Sequence, residues 1–236
     1  MWSIPERQDR AELLDIGVGT AQDVKDNFAD LSRINRYLGG MSALTRHIYP
    51  AFVSINREDN SITLLDIGTG SAEIPLRMAE WAHQKRIKLR ILALDLSTRN
   101  LVLAREDTNG SPEIELVRAD ALQLPLAPGS CDIVMSSLFL HHLTPECVVE
   151  VLRAAFRCAR HTLVMSDLVR GWLPLLAFWL VQPIFARNFL TRNDGLVSIR
   201  RAYTPDELRT LAQQAGLTKA IVFTHWPWRM TLVAYK

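Results

Sequence analysis

The chain has 236 residues, 48% of them hydrophobic, and a formal net charge of +2. That size and composition suit one sizeable α/β domain with an accessory helical piece and exclude a disordered or low-complexity chain. The charge is too mild and too scattered for a nucleic-acid binder. Cys131, Cys147 and Cys158 lack C-x-x-C spacing and fit a reducing compartment better than a disulfide framework.

The opening "MWSIPERQDR" runs from a short apolar patch into charge, unlike a signal peptide, so a cytoplasmic location is expected. Residues 13–21 read "LLDIGVGTA" and residues 64–72 read "LLDIGTGSA". A glycine loop that binds a nucleotide cofactor needs a buried strand leading in and a helix leading out. "ERQDRAE" before the first copy has no strand character, whereas "SITLLDIG" suits a central parallel strand. After the first copy, Val24, Phe28, Leu31, Ile34 and Leu38 recur at helical spacing, and Thr20 with Asp23 reads as a capping box. The first copy is therefore read as the start of a helix within an N-terminal helical extension or lid, residues 1–60. The second is read as the cofactor loop of a core spanning 61–236.

Strands are predicted at 62–67, 89–95, 113–120, 131–137 and 161–167, with helices over 72–86, 98–107 and 145–157. This alternation predicts a Rossmann-like, doubly wound, seven-stranded and mostly parallel sheet with its ligand at the strand C-termini. "WLPLLAFWLVQPIF" at 172–185 is too short for a membrane span and is interrupted by Pro174, Gln182 and Pro183. It reads as a buried or site-covering helix in a hydrophobic insertion near 170–200, and stable membrane insertion is not expected. Thr204, Pro205 and Glu207 open a helix over 205–215 that Gly216 closes. "KAIVFTHWPWRMTLVAYK" then predicts an antiparallel C-terminal hairpin.

After Gly68 and Gly70, the position of a third fingerprint glycine holds Glu73, whose carboxylate at a helix N-terminus would repel a pyrophosphate. A cofactor with an amino-acid moiety and a ribose but no phosphate, S-adenosylmethionine, suits the loop better. Asp95 at the end of the second strand can accept from both ribose hydroxyls. Asp120 and Ala121 at the end of the third can accept from the adenine amino group and donate to a ring nitrogen. Taken singly, each acid also reads as an ordinary cap; their order over consecutive strands is what points to a nucleoside.

The stretch 62–167 resembles the core of class I S-adenosylmethionine-dependent methyltransferases, with "LLDIGTGSA", "LALDLS" and "RADALQLPLAPGSCDIVMSSLFLHHL" as its motifs. It is most similar to the ubiquinone/menaquinone-biosynthesis branch and to small-molecule methyltransferases of bacterial secondary metabolism. "RINRYLGG" and "DGLVSIRRAYTPDEL" are similar, more loosely, to enzymes encoded beside polyketide synthases. Ala72 stands where the family often has a third glycine, which is tolerable at negative φ. The resemblance implies that Asp66 orients the methionyl ammonium, that Gly68 and Gly70 let the backbone close on the cofactor, and that Thr69 and Ser71 supply loop contacts. It further implies Asp95 with Leu96 at the ribose, Asp120 and Ala121 at adenine, and the Ser136 backbone at the methionyl part.

Methyl transfer is an in-line displacement, and a base is needed only if the acceptor is protonated. His142 is the first candidate base, His141 the second and Asp167 a third that could instead orient a substrate hydroxyl; adjacent histidines are not expected to point inward together on regular backbone. Arg200, Arg201 and Tyr203 are candidates to meet a phenolate or carboxylate. "SSLF" after the fourth strand disfavours acceptors of the adenine or glutamine amide type, and serines there give no magnesium cluster, so a metal is not expected. The expected partner is a small aromatic or lipophilic molecule, methylated at oxygen or carbon, such as a phenolic, polyketide-like or quinone-type metabolite. RNA or protein as the acceptor, and a non-catalytic binding module, stand as alternatives.

Overall fold

The computed structural model describes residues 4–55 and 61–236. Two helices lead, α1 (Ala21–Tyr37) and α2 (Gly40–Ile55), followed by β1 (Ile62–Ile67), α3 (Glu73–Gln84), β2 (Leu89–Asp95), α4 (Thr98–Thr108) and β3 (Ile114–Arg118). Then come β4 (Cys131–Ser137), α5 (Pro145–Cys158), β5 (Ala159–Leu168), α6 (Trp172–Phe185), α7 (Phe189–Arg201), α8 (Pro205–Gln214), β6 (Ile221–His225) and β7 (Arg229–Tyr235). The strands form a seven-stranded sheet in the order β3-β2-β1-β4-β5-β7-β6. β1 to β5 pair in parallel, and β7 runs antiparallel to both β5 and β6. The strand order reverses between β1 and β4, which opens a crevice at their C-terminal ends.

Alternation at period two sorts the strand residues onto two faces. Leu64, Ile91, Ile133, Met135, Val164 and Val233 pack against Leu44, Ile48 and Phe52 of α2 and Met78 of α3. Leu65, Ile67, Val134, Leu163 and Leu232 face Val148, Val151 and Leu152 of α5 and Leu208 and Leu211 of α8. Each such side chain, fully buried, contributes about 1.5–3 kcal/mol. With helices on both faces the sheet is doubly wound, as the sequence pattern predicts.

Local chemistry sets the boundaries. Thr20 caps α1 through a reciprocal capping box with Asp23, and Thr204 caps α8 in the same way with Glu207. The third strand stops at Arg118, short of the predicted 120, because Asp120 accepts from Leu122 N and caps a 3-10 turn over Ala121–Gln123. The expectation of a negative φ at Ala72 is overturned: it sits at φ 58, ψ 23 as the N-cap of α3. That conformation costs an L residue roughly 1–2 kcal/mol, offset in part by burial of its methyl with Ala93 and Ala104. The expected boundary between residues 60 and 61 borders 56–60, which lie outside the described residues, as do residues 1–3.

α6 runs through Pro183, and the Trp179 carbonyl that proline cannot serve accepts instead from Gln182 Nε2 at 3.3 Å. Its inner side buries Pro174, Leu175 and Phe178, while Trp172, Leu173, Trp179 and Leu180 are exposed, so the expected burial holds for one face. Among the described residues no helix is long and apolar enough to cross a membrane.

Candidate functional site

β1 delivers the chain to a tight loop in which Gly68 and Gly70 take φ 73 and φ 59. Added Cβ atoms there would sit 2.6 Å from Phe139 Cδ2 and 2.8 Å from Phe28 Cε1, so glycine is required both for conformation and for space. Gly68 N and Thr69 N donate to Leu94 O, and Gly70 N donates to Asp95 Oδ2 at 2.9 Å. The second strand therefore holds the loop of the first. Asp95 Oδ1 also accepts from Ser97 N at 2.8 Å, and burial raises its pKa above the usual carboxylate range. Burial, with the Asp95 carboxylate nearby, pushes Asp66 up to about 7. Among the described residues the Thr69 hydroxyl is the buried side-chain polar atom that lacks a hydrogen-bond partner.

The loop opens on a cavity of about 1020 Å³. Asp66, Gly68, Thr69, Gly70, Ser71, Asp95, Leu96, Asp120 and Ala121 all line it. Ser136 does not: its hydroxyl turns into the sheet and donates to Met165 Sδ, and the cavity is lined instead by Ser137. Strand alternation sends the two serine side chains to opposite faces, which accounts for the side chains but leaves the expected contact of the Ser136 backbone untouched. Leu31, Ile34, Leu38, Pro174, Ala177, Phe178 and Val181 form an apolar continuation under α1 and α6. The volume lies at the upper end of the roughly 300–1,000 Å³ of ligand pockets.

His141 and His142 both line the cavity, with ring centroids 4.2 Å apart. The expectation that they would not face inward together fails because Leu140–His142 is a 3-10 turn. His141 Nδ1 lies 2.7 Å from Asp167 Oδ1, and its Nε2 lies 3.4 Å from Glu12 Oε1. Burial disfavours its charge, but the Asp167 and Glu12 carboxylates outweigh burial and raise it to about 10. Burial likewise opposes ionisation of Asp167, yet the His141 cation holds it below its ordinary value. The His141–Asp167 pair is thus an internal ion pair, and neither member is a free base at neutral pH. His142 Nδ1 lies 3.0 Å from Asp15 Oδ2, and burial of Asp15 is outweighed by His142 and Arg201, which lower its pKa.

Glu12 and Asp15 are cavity-lining residues the sequence reading missed, because they sit in and beside the dismissed first glycine copy. That copy is indeed no strand-loop-helix unit, yet Leu14, Asp15 and Gly17 line the same cavity. Asp194 holds the segment in place by accepting from Leu13 N and Leu14 N. Glu12, His141 and His142 could together hold a metal ion, although His141 would have to give up its proton and its pairing with Glu12.

The expected acceptor contacts at Arg200, Arg201 and Tyr203 are corrected by the structure, since none lines the cavity. Arg200 is exposed and reaches Gln8. Arg201 is buried and donates to the His141 and His142 carbonyls at 3.1 and 2.6 Å, which clamps the histidine turn. Tyr203 donates to Leu143 O at 2.7 Å under the Arg7 guanidinium, and burial pushes its hydroxyl up to about 12.

Residues 65–162 match the methyltransferase-domain family. A malonyl-(acyl-carrier protein) O-methyltransferase of Marinomonas sp. (strain MWYL1) is 30% identical over 168 residues, 70% of this chain; the chain spans 58% of the length of that curated relative. An S-adenosylmethionine-dependent methyltransferase from Aquifex aeolicus has a similar fold, with TM-score 0.61, 15% identity, and 92% of this chain and 99% of that chain covered. Human N-acetylserotonin methyltransferase, solved with S-adenosylmethionine, is similar at TM-score 0.64 and 14% identity, covering 98% of this chain and 63% of that one. The family match identifies residues 65–162 as a methyltransferase domain, and sheet order with the structural likeness gives the chain the fold of class I S-adenosylmethionine-dependent methyltransferases.

Proposed function

We propose that this chain methylates a small lipophilic or aromatic molecule, at oxygen or carbon, with S-adenosylmethionine as donor. The observation that carries the reading is one cavity in which the glycine loop and the acids ending three strands meet an apolar chamber. The residues fit the cofactor: Thr69 has a buried hydroxyl to offer, and Gly68 and Gly70 give the loop the positive-φ turn that brings its backbone to the cavity. Asp66 would orient the ammonium, Asp95 with Leu96 the ribose, and Asp120 with Ala121 the adenine. Asp120 Oδ1 is taken by Leu122 N, so Oδ2 is the oxygen available. Ser71 and Ser137 would contact the methionyl end. Residues 4–55, as a lid, would close the site from the side of α1.

S-adenosylmethionine supplies an electrophilic sulfonium methyl when bound. Asp15, accepting from His142 Nδ1–H, fixes the tautomer that leaves Nε2 with its lone pair, the atom that would take a proton from an acceptor hydroxyl. The apolar walls exclude water and hold the acceptor aligned. O-methylation also agrees with the name of the Marinomonas relative. The test is mass spectrometry after incubating the protein with methyl-labelled S-adenosylmethionine and a metabolite extract. A labelled small molecule is expected; label confined to RNA or protein, or tight cofactor binding with no transfer, would overturn the reading.

A further inference from the structure

Arg229 opens β7 and lies in the cavity wall, 3% exposed. Its acceptors are Asn35 Oδ1 at 3.4 Å and Leu38 O at 3.5 Å, both long for hydrogen bonds. The two other buried arginines are fully occupied. Arg170 pairs with Glu207 and donates to the Pro5 and Ala202 carbonyls. Arg201 pairs with Asp15 and donates to three carbonyls. Among the described residues no ion pair includes Arg229. The nearby Asp167 does not serve it, being taken by His141 and by Leu168 N. Burial lowers the guanidinium to about 10, with Asp167 opposing, so it remains a cation at neutral pH.

A buried charge without a partner is costly, and such a charge on a cavity wall is suited to a counterion that arrives with a ligand. The surroundings identify which ligand. In the sheet order β7 lies two strands beyond β4, about 10 Å from the strand end that carries Ser137 and the histidine turn, and farther from the glycine loop. Leu38, Leu168, Phe178, Trp226 and Trp228 line the cavity with it. This is the acceptor end, and its apolar walls strengthen a charge pair by excluding water.

We propose that Arg229 is the recognition point for an anionic oxygen group on the methyl acceptor, a carboxylate or an ionised acidic hydroxyl, and so selects acidic lipophilic molecules over neutral ones. Its planar fork of donors matches two oxygens at once, which a lysine cannot do. Calling the anion an acceptor rests on the methyltransferase reading; the anion site itself does not.

The test is therefore read without turnover, by calorimetry on the full chain with S-adenosylhomocysteine present and absent. The probes are octanoate, octanamide as its neutral counterpart, and 4-nitrophenolate. Octanoate or 4-nitrophenolate is expected to bind the wild type about 10- to 100-fold more tightly than octanamide, and which of the two anions wins distinguishes a carboxylate from an acidic hydroxyl. Arg229→Met should abolish that preference, leave S-adenosylhomocysteine affinity unchanged, and melt no lower than wild type, because an unpaired buried charge is removed. Arg229→Lys should retain only part of the preference. A wild type that does not distinguish anion from amide overturns the proposal even if Arg229→Met fails to fold. Loss of S-adenosylhomocysteine affinity in a folded Arg229→Met or Arg229→Lys overturns it too, by giving the arginine to the cofactor. Failure of the wild type to bind S-adenosylhomocysteine would count against the methyltransferase reading alone.

Discussion

Asp15 Oδ2 lies 3.0 Å from His142 Nδ1 across 127 residues of sequence, which ties the first glycine-rich copy to the end of the fourth strand. Residues of both copies thus line one cavity, Gly68, Thr69 and Gly70 from the second and Leu14, Asp15 and Gly17 from the first.

The two copies should respond differently to the same substitution. Gly68→Val places a branched side chain against Phe139 at φ 73 and is expected to weaken S-adenosylhomocysteine more than about tenfold, a loss of over 1.4 kcal/mol. Gly17, at φ 80 with open space around it, should accept valine at a cost of roughly 1–2 kcal/mol in stability, with affinity nearly kept. Calorimetry on both folded variants checks this; equal loss of affinity would mean that both copies hold the cofactor.

Cofactor binding should release a proton near neutrality. Asp66, raised to about 7 by burial, is about half protonated at pH 7 in the free protein. A cationic ammonium beside it favours the carboxylate, so binding expels that proton. Calorimetry in buffers of different ionisation enthalpy should show the release at pH 7 and its disappearance well above pH 7 or in Asp66→Asn. Proton uptake on binding would contradict the assignment.

If His142 is the base, His142→Ala should lower turnover roughly 10²–10⁴-fold while S-adenosylhomocysteine affinity stays unchanged. Asp15→Asn should cost less, since the imidazole remains although its orientation is loosened. Acceptors that arrive already ionised should partly rescue both variants. Full activity in His142→Ala would leave catalysis to alignment alone. Dialysis against a chelator is expected to change nothing, because Asp167 and Glu12 hold His141 as a cation; activity lost and then restored by a divalent metal would reassign Glu12, His141 and His142 to metal binding.

The His141–Asp167 pair should give stability a defined pH window. A histidine raised to about 10 contributes stability that is complete below the 6.5 of free imidazole and is lost as pH rises toward 10. The lowered Asp167 contributes stability present above its unfolded value of 3.8 and lost as pH falls through its lower folded value. Asp167→Asn is therefore expected to cost about 3–5 kcal/mol at neutral pH. The difference from wild type should shrink toward both extremes, as followed by urea denaturation at each pH. A difference independent of pH would show the pair to be a neutral hydrogen bond.

The sequence by itself determined the sheet and the cofactor loop, since both rest on local pattern. Apolar runs at strand period, caps such as Thr20 and Thr204, and glycines between a strand and a helix act within a few residues of themselves. The same locality explains how Asp66, Asp95 and Asp120 were legible, each within two residues of the C-terminal end of a strand the pattern had already placed. Only the tertiary structure decided what the remaining polar groups do. Glu12 and Asp15 look like the solvated start of a helix until α7 and the segment before α1 are laid over the histidine turn. Arg200, Arg201 and Tyr203 look like a binding cluster, yet the end of α7 and the extended turn after it send them in different directions, into solvent or toward backbone carbonyls. Arg229 gives no sign in sequence of being short of a partner. Burial and the whereabouts of every other charge decide that, and both are properties of the packed chain, because a charge's free energy depends on its distance from groups far away in sequence.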